Sequence, residues 1–190
     1  MGGAQERPLR ADAARNRARL LDTATEVFTT RGVSVPTEEI ARTAGVGVGT
    51  LFRHFPTKEA LLEAVMVRRL ETMAAQTAQL AAEAGPAEAF FACFRLVVEQ
   101  SAGKNEFAQA LAAAGVDVHA SLQGPTMEIQ ARLADLLAGA QQVGAVRPEL
   151  GLPEFIALLA GTGRAMEQLG ADPVPRERIF EVVFDGLRPR

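Results

Sequence analysis

Apolar residues recur along the chain every three to four positions, and stretches of strict alternation are nearly absent. That periodicity predicts helices throughout. The first covers about 12–30, with Asp12 able to cap it, Gly32 just past its end, and Leu20, Leu21, Ala24, Val27 and Phe28 on one stripe. Pro36 then disfavours helix at Val35, and Thr37 is the expected N-cap of a short helix over 38–44 that stops at Gly45. A second short helix over 48–54 ends at Phe55-Pro56, and Thr57 caps a long one over 58–84. After Gly85-Pro86, amphipathic segments follow over 87–102 and 106–114. A loose polar stretch over 115–124 separates them from helices over 126–143, 153–169 and 176–187.

The stretch from Thr37 to Lys58, TEEIARTAGVGVGTLFRHFPTK, carries the chemistry. Two short helices flank a glycine turn. Ile40 and Ala41 of the first, and Leu51 and Phe55 of the second, are expected inside, with Val46 plugging the turn. A helix-turn-helix requires this arrangement. The second helix opens on small residues, Gly47, Val48, Gly49 and Thr50, so its N-terminus can come close to a groove floor and offer N–H groups to phosphate.

Composition adjusts this picture. The 190 residues carry a net charge of −3, which argues against a uniformly basic nucleic-acid coat. The sum conceals a division: residues 1–58 hold nine basic and six acidic side chains, a net +3, and the remainder eleven and seventeen, a net −6. Positive charge therefore gathers on the helix-turn-helix end. The single cysteine, Cys93, excludes an intrachain disulfide and CxxC zinc sites, and it reads as a small core residue among Phe90, Phe91 and Phe94. His54 and His119 lack ligand spacing, so no metal or cofactor is expected. No apolar run approaches the ~20 residues of a membrane span, and the polar start is no secretory signal, so the expected compartment is the cytoplasm. No nucleophile–base pair is legible. Gly45, Gly47 and Gly49 follow a helix rather than a strand, which argues against a dinucleotide motif, and an enzyme is not expected.

The strings TEEIARTAGV (37–46) and GTLFRHFPTKEALLEAV (49–65) resemble the tetracycline-repressor (TetR) family of transcriptional regulators, and the likeness extends over about residues 10–70. GAVRPEL (144–150) and DGLRP (185–189) are similar to features of that family's ligand domains. The resemblance implies an all-α fold: a three-helix DNA-binding head over 1–57, then an effector-binding and dimerisation domain over 58–190. It places Val48, Gly49, Thr50 and Phe52 where the family reads DNA, Thr37 at a phosphate-facing helix start, and His54 and Lys58 at further DNA-facing positions. Phe52 stands where the family usually has Tyr, so the ring face is kept and a hydroxyl is missing. Lys58 suits phosphate, and Thr50 suits phosphate or a thymine methyl.

The resemblance also implies an effector cavity. Met66, Leu70, Phe90, Phe91, Phe94, Phe107, Leu111 and Met127 are the candidates for its wall, which would favour a small apolar or aromatic molecule. It implies dimerisation through the last two helices. Phe155, Leu159, Thr162 and Met166, with Ile179, Phe180, Val183 and Phe184, are the expected interface, and Gly161 and Gly163 allow close helix approach. Two-fold symmetry would set two recognition helices about 34–36 Å apart, matching a palindromic operator on double-stranded DNA. The expected function is a homodimeric, effector-released repressor.

Overall fold

The computed structural model describes residues 6–101, 104–117, 119–170 and 172–189, with side-chain surroundings left out for 6–13 and 104–106. Among the described residues there are nine helices and no strand: α1 (Glu6–Arg31), α2 (Thr37–Thr43), α3 (Val48–His54), α4 (Lys58–Glu83), α5 (Pro86–Gln100), α6 (Lys104–Ala113), α7 (His119–Gln142), α8 (Leu152–Leu169) and α9 (Pro173–Leu187). They form two compact units, one of residues 1–69 with 105–122, the other of 70–104 with 123–190.

The first unit is built on the stripe of α1. Leu20, Ala24 and Phe28 meet Ile40 and Ala41 of α2, Leu51 of α3, Phe55, and Leu61 and Val65 of α4, all essentially buried. Each fully buried Leu, Ile or Phe contributes about 1.5–3 kcal/mol, so these side chains hold two seven-residue helices that could not persist alone. Phe107 and Leu111 of α6 complete the core, with Phe107 edge-on to Phe28 at 6.0 Å.

The turn between α2 and α3 is set by Gly45, whose φ is +68°. The Val46 N–H bonds the Ala41 carbonyl at 3.0 Å, and the Gly45 N–H bonds that of Arg42 at 3.1 Å. This is a Schellman closure, which needs a left-handed residue at that point.

Several helix ends differ from expectation. α1 begins at Glu6, so Asp12 falls within it rather than capping it, and the Asp12 side chain lies outside the described residues. Pro36, held extended at φ −64° and ψ 144°, is the N-cap of α2, and Thr37 is its first helical residue. The Pro36 carbonyl accepts from Glu39 and Ile40; the ring fixes φ and moves the boundary back by one residue. Thr57 does cap α4, its hydroxyl accepting from the Ala60 N–H at 3.1 Å. The stretch over 115–124 is not loose throughout: the Asp117 carboxylate accepts from the His119 N–H at 2.9 Å, and α7 runs on through Pro125. Gly124-Pro125 reads as a breaker, yet the helix continues past the missing N–H. α9 starts at Pro173 because Asp172 caps it through Val174, and prolines in a first turn have no N–H to lose.

The second unit is an aromatic core. Phe90 of α5 stacks on Phe155 of α8 at 4.9 Å; Phe94 packs edge-on to Phe184 at 5.4 Å and Phe180 at 6.5 Å. Gly163 lets α8 approach the end of α5, since a Cβ there would stand 2.3 Å from Ser101 Oγ. The segment 144–150 folds back over the core: Gln141 Nε2 donates to the carbonyls of Arg147 and Leu150, Val146 is buried, and the Arg147 N–H bonds the Leu187 carbonyl.

Candidate nucleic-acid interface

α3 turns Leu51 inward; Gly49 and Arg53, one turn apart, lie opposite it, Val48 and Phe52, also one turn apart, lie to one side, and all four are exposed. Two apolar side chains of this short helix stay partly in water, Val48 at 37% and Phe52 at 38% exposure. The N-terminus of α3 has no side-chain cap. A Cβ at Gly49 would meet nothing within 4 Å, and one at Gly47 only Thr50 Oγ1 at 4.0 Å. The helix start is therefore narrow, with N–H groups available to an acceptor.

The expected residues divide. Val48, Gly49 and Phe52 are on the open face; Thr50, His54 and Lys58 are half-buried at its margins. His54 also packs, its ring tilted against Phe55 at 6.5 Å. Thr37 is a correction in part: it is buried, it is not the cap, and its hydroxyl lies 3.4 Å from Glu38 Oε2, so it turns little side-chain surface outward. Arg53 is a residue the sequence reading passed over. It sits one turn after Gly49 and opposite Leu51, a placement that the inward Leu51 already fixes. Arg42 and Thr43 at the end of α2 are exposed as well. Arg42 joins Arg31 on the Glu39 carboxylate, which the Arg31 hydrogen bond, chiefly, and both positive charges hold below the usual carboxylate range.

The residues of the expected effector wall are divided between the two units. Met66, Phe107 and Leu111 are core residues of the first unit. Phe90 and Phe94 are core of the second, and Leu70 and the half-buried Phe91 belong to that unit too. Met127 is 61% exposed. The second unit does contain a cleft of about 280 Å³, lined instead by Thr77, Ala78, Ala81, Ala84, Pro86, Ala89, Arg132, Asp135, Leu136 and Gly139. Its space comes from small side chains on α4, α5 and α7, a signal weaker in sequence than aromatic stripes. Beneath it Cys93 is buried, its thiol 3.8 Å from Thr77 Oγ1 and pushed up to about 11 by desolvation, the state of an unreactive core thiol.

The expected dimer face needs a similar correction. Phe155, Leu159, Thr162, Met166, Phe180 and Phe184 are buried within the second unit's own core, largely against α5, and have no surface left for another chain. Ile179 and Val183 remain half-buried. The large apolar side chains that α8 and α9 leave exposed are Leu158, Leu169, Val174 and Val182, the last 70% exposed, and Gly161 and Gly186 are exposed too, among charged residues such as Arg164, Arg178 and Glu181. Among the described residues no helix is long and apolar enough to cross a membrane.

Known proteins share both halves. Residues 20–65 match the family model for bacterial regulatory proteins of the tetR family, and residues 85–189 that for the SbtR-like transcriptional regulator C-terminal domain. A TetR transcription regulatory protein from Mycobacterium vanbaalenii has a solved structure that is 41% identical, with 96% of this chain and 100% of that one covered and a TM-score of 0.77. The HTH-type regulator UidR of Escherichia coli K12 is 25% identical over 95% of this chain and 93% of its own. AibR, solved in complex with isovaleryl coenzyme A and operator DNA, shares the fold at 21% identity and a TM-score of 0.61, over 92% of this chain and 98% of its own.

Proposed function

The chain belongs to the TetR family of DNA-binding transcriptional regulators, proteins that are not enzymes, and we propose that it acts as a homodimeric repressor released from a palindromic operator by a small effector. Residues 1–57 read DNA and residues 58–190 hold the effector and pair the subunits. The observation that carries this reading is the outward face of α3, where Val48, Gly49 and Phe52 stand open beside Arg53 and Lys58. The apolar side chains and the glycine suit groove contact, and the cations suit phosphate. The expected compartment is the cytoplasm, where operator DNA is reached.

Pairing of two copies is supported by the apolar face that α8 and α9 leave uncovered. The effector is a small, largely apolar or aromatic molecule, and the alanine-walled cleft of the second unit is its candidate site. AibR, which shares the fold, has been solved with a small molecule, isovaleryl coenzyme A, and operator DNA together. α4 is continuous from Lys58 in the head to Glu83 beside the cleft, so it can carry a change at one site to the other. By linkage each ligand then weakens the other equally.

The test is selection of bound fragments from genomic DNA, followed by titration of the selected duplex at several salt concentrations. Wild type is expected to bind a two-fold symmetric site. Lys58→Ala and Thr50→Ala are each expected to weaken binding, and the log–log salt slope falls by about 0.9 for each phosphate that is no longer neutralised. Unchanged binding by both variants would sink the assignment.

A further inference from the structure

The cations of the head differ in how they are held. Arg31 and Arg42 both engage Glu39, and Arg68 engages Asp22. Arg19 donates to Asn16. Arg17 does none of this. Its side-chain neighbours one turn away on α1 are Ala13, Ala14, Leu20 and Leu21, so its own helix offers no carboxylate within reach. Among the described residues no other element supplies one either. It lies on the same stripe as Leu20, Leu21 and Ala24, one turn before the apolar core begins, and it remains exposed. Its guanidinium sits over the ring of Phe55, 5.1 Å from the centroid.

Phe55 is the residue that ends α3. Arg53 precedes it by two positions and Lys58 follows it by three, and neither has a carboxylate partner among the described residues. Three uncompensated cations thus gather about the junction of the recognition helix and the start of α4. A guanidinium lying on an aromatic face is attracted through its plane, while its N–H donors point outward from its edge. The stack restricts the long side chain before any partner arrives, which lowers the ordering cost of binding one later.

We propose that Arg17 is a further DNA-contacting residue, held by the Phe55 ring to clamp a backbone phosphate beside the groove that α3 enters. This rests on the reading of the head as a DNA-binding domain. It assigns Arg17 a sequence-independent anchoring role, since phosphate contacts position the protein without reading bases.

The experiment titrates the selected operator and an unrelated duplex with wild type, Arg17→Gln and Arg17→Lys across a salt series, with thermal unfolding of each protein as a control. Arg17→Gln keeps most of the stem over the ring and removes the charge. Its log–log slope is expected to be shallower by about 0.9, so its affinity deficit shrinks about 3.5-fold between about 50 and 200 mM salt. The loss should be equal on both duplexes. Arg17→Lys, which keeps the charge, is expected to retain the wild-type slope. A wild-type slope in Arg17→Gln overturns the proposal whatever happens to its melting temperature, because a purely structural stack moves stability and not the salt slope. Wild type showing no salt-dependent duplex binding would instead overturn the DNA-binding reading itself.

Discussion

Single residues carry opposing demands in the head. Gly45 is required by backbone geometry: at φ +68° an L side chain is strained even though its Cβ would meet nothing, a cost of about 1–2 kcal/mol. Gly49 is different. It lies in the first turn of α3 with open space around it, where alanine is favoured over glycine by at most about 1 kcal/mol. Folding alone gives no reason for a glycine there, whereas close approach to DNA does. Gly49→Ala is therefore expected to raise the stability of the head by up to about 1 kcal/mol in chemical denaturation while weakening operator binding in the same preparation. Stronger binding, or no change, would remove the groove-approach role. Gly45→Ala should lower both.

Between elements, α5 and α9 are joined by Arg95, whose guanidinium lies over Phe180 at 4.3 Å and Phe184 at 5.4 Å while both its terminal nitrogens bond the Glu177 carboxylate. The Arg95 hydrogen bond, and secondarily its charge, hold Glu177 below the usual carboxylate range, and Glu177 in turn raises Arg95. Because the folded-state value of Glu177 is depressed, the pair's contribution is present above the unfolded carboxylate value and is lost as pH falls through the folded one. Glu177→Gln should thus narrow the gap between the urea midpoints measured near about pH 7 and about pH 3, with most of the change at the neutral end. An equal shift at both pH values would mean the carboxylate charge contributes nothing. The exposed position of Glu177 keeps the effect small.

At the scale of the whole molecule, the uncovered apolar face of α8 and α9 separates assembly from folding. Val182 and Leu158 are exposed, so charging them leaves the core intact. Leu158→Glu combined with Val182→Glu is expected to give a folded monomer by light scattering at micromolar concentration, with weakened operator binding because two half-sites are no longer read together. A monomeric wild type would refute the pairing. Phe155→Ala, by contrast, opens a cavity in a fully buried aromatic stack and should cost about 3–5 kcal/mol of stability, whatever the state of assembly.

Much of this was legible along the chain. The stripe of α1, the Gly45 turn, the inward Ile40 and Leu51, the bounds of α3 and the Thr57 cap all follow from residues a few positions apart, and short-range hydrogen bonding and periodicity encode them directly. Tertiary structure decided how each apolar face is used. Phe155 and Phe180 look in sequence like surface for a second copy, but α5 covers them; Phe107 and Leu111 look like a cavity wall and fill the head's core instead. Nothing within α1 alone tells that Arg17 rests on Phe55, thirty-eight positions away. A periodic stripe states that a face must be covered. Which distant side chains cover it, and which apolar residues remain in water, is fixed only when the helices pack.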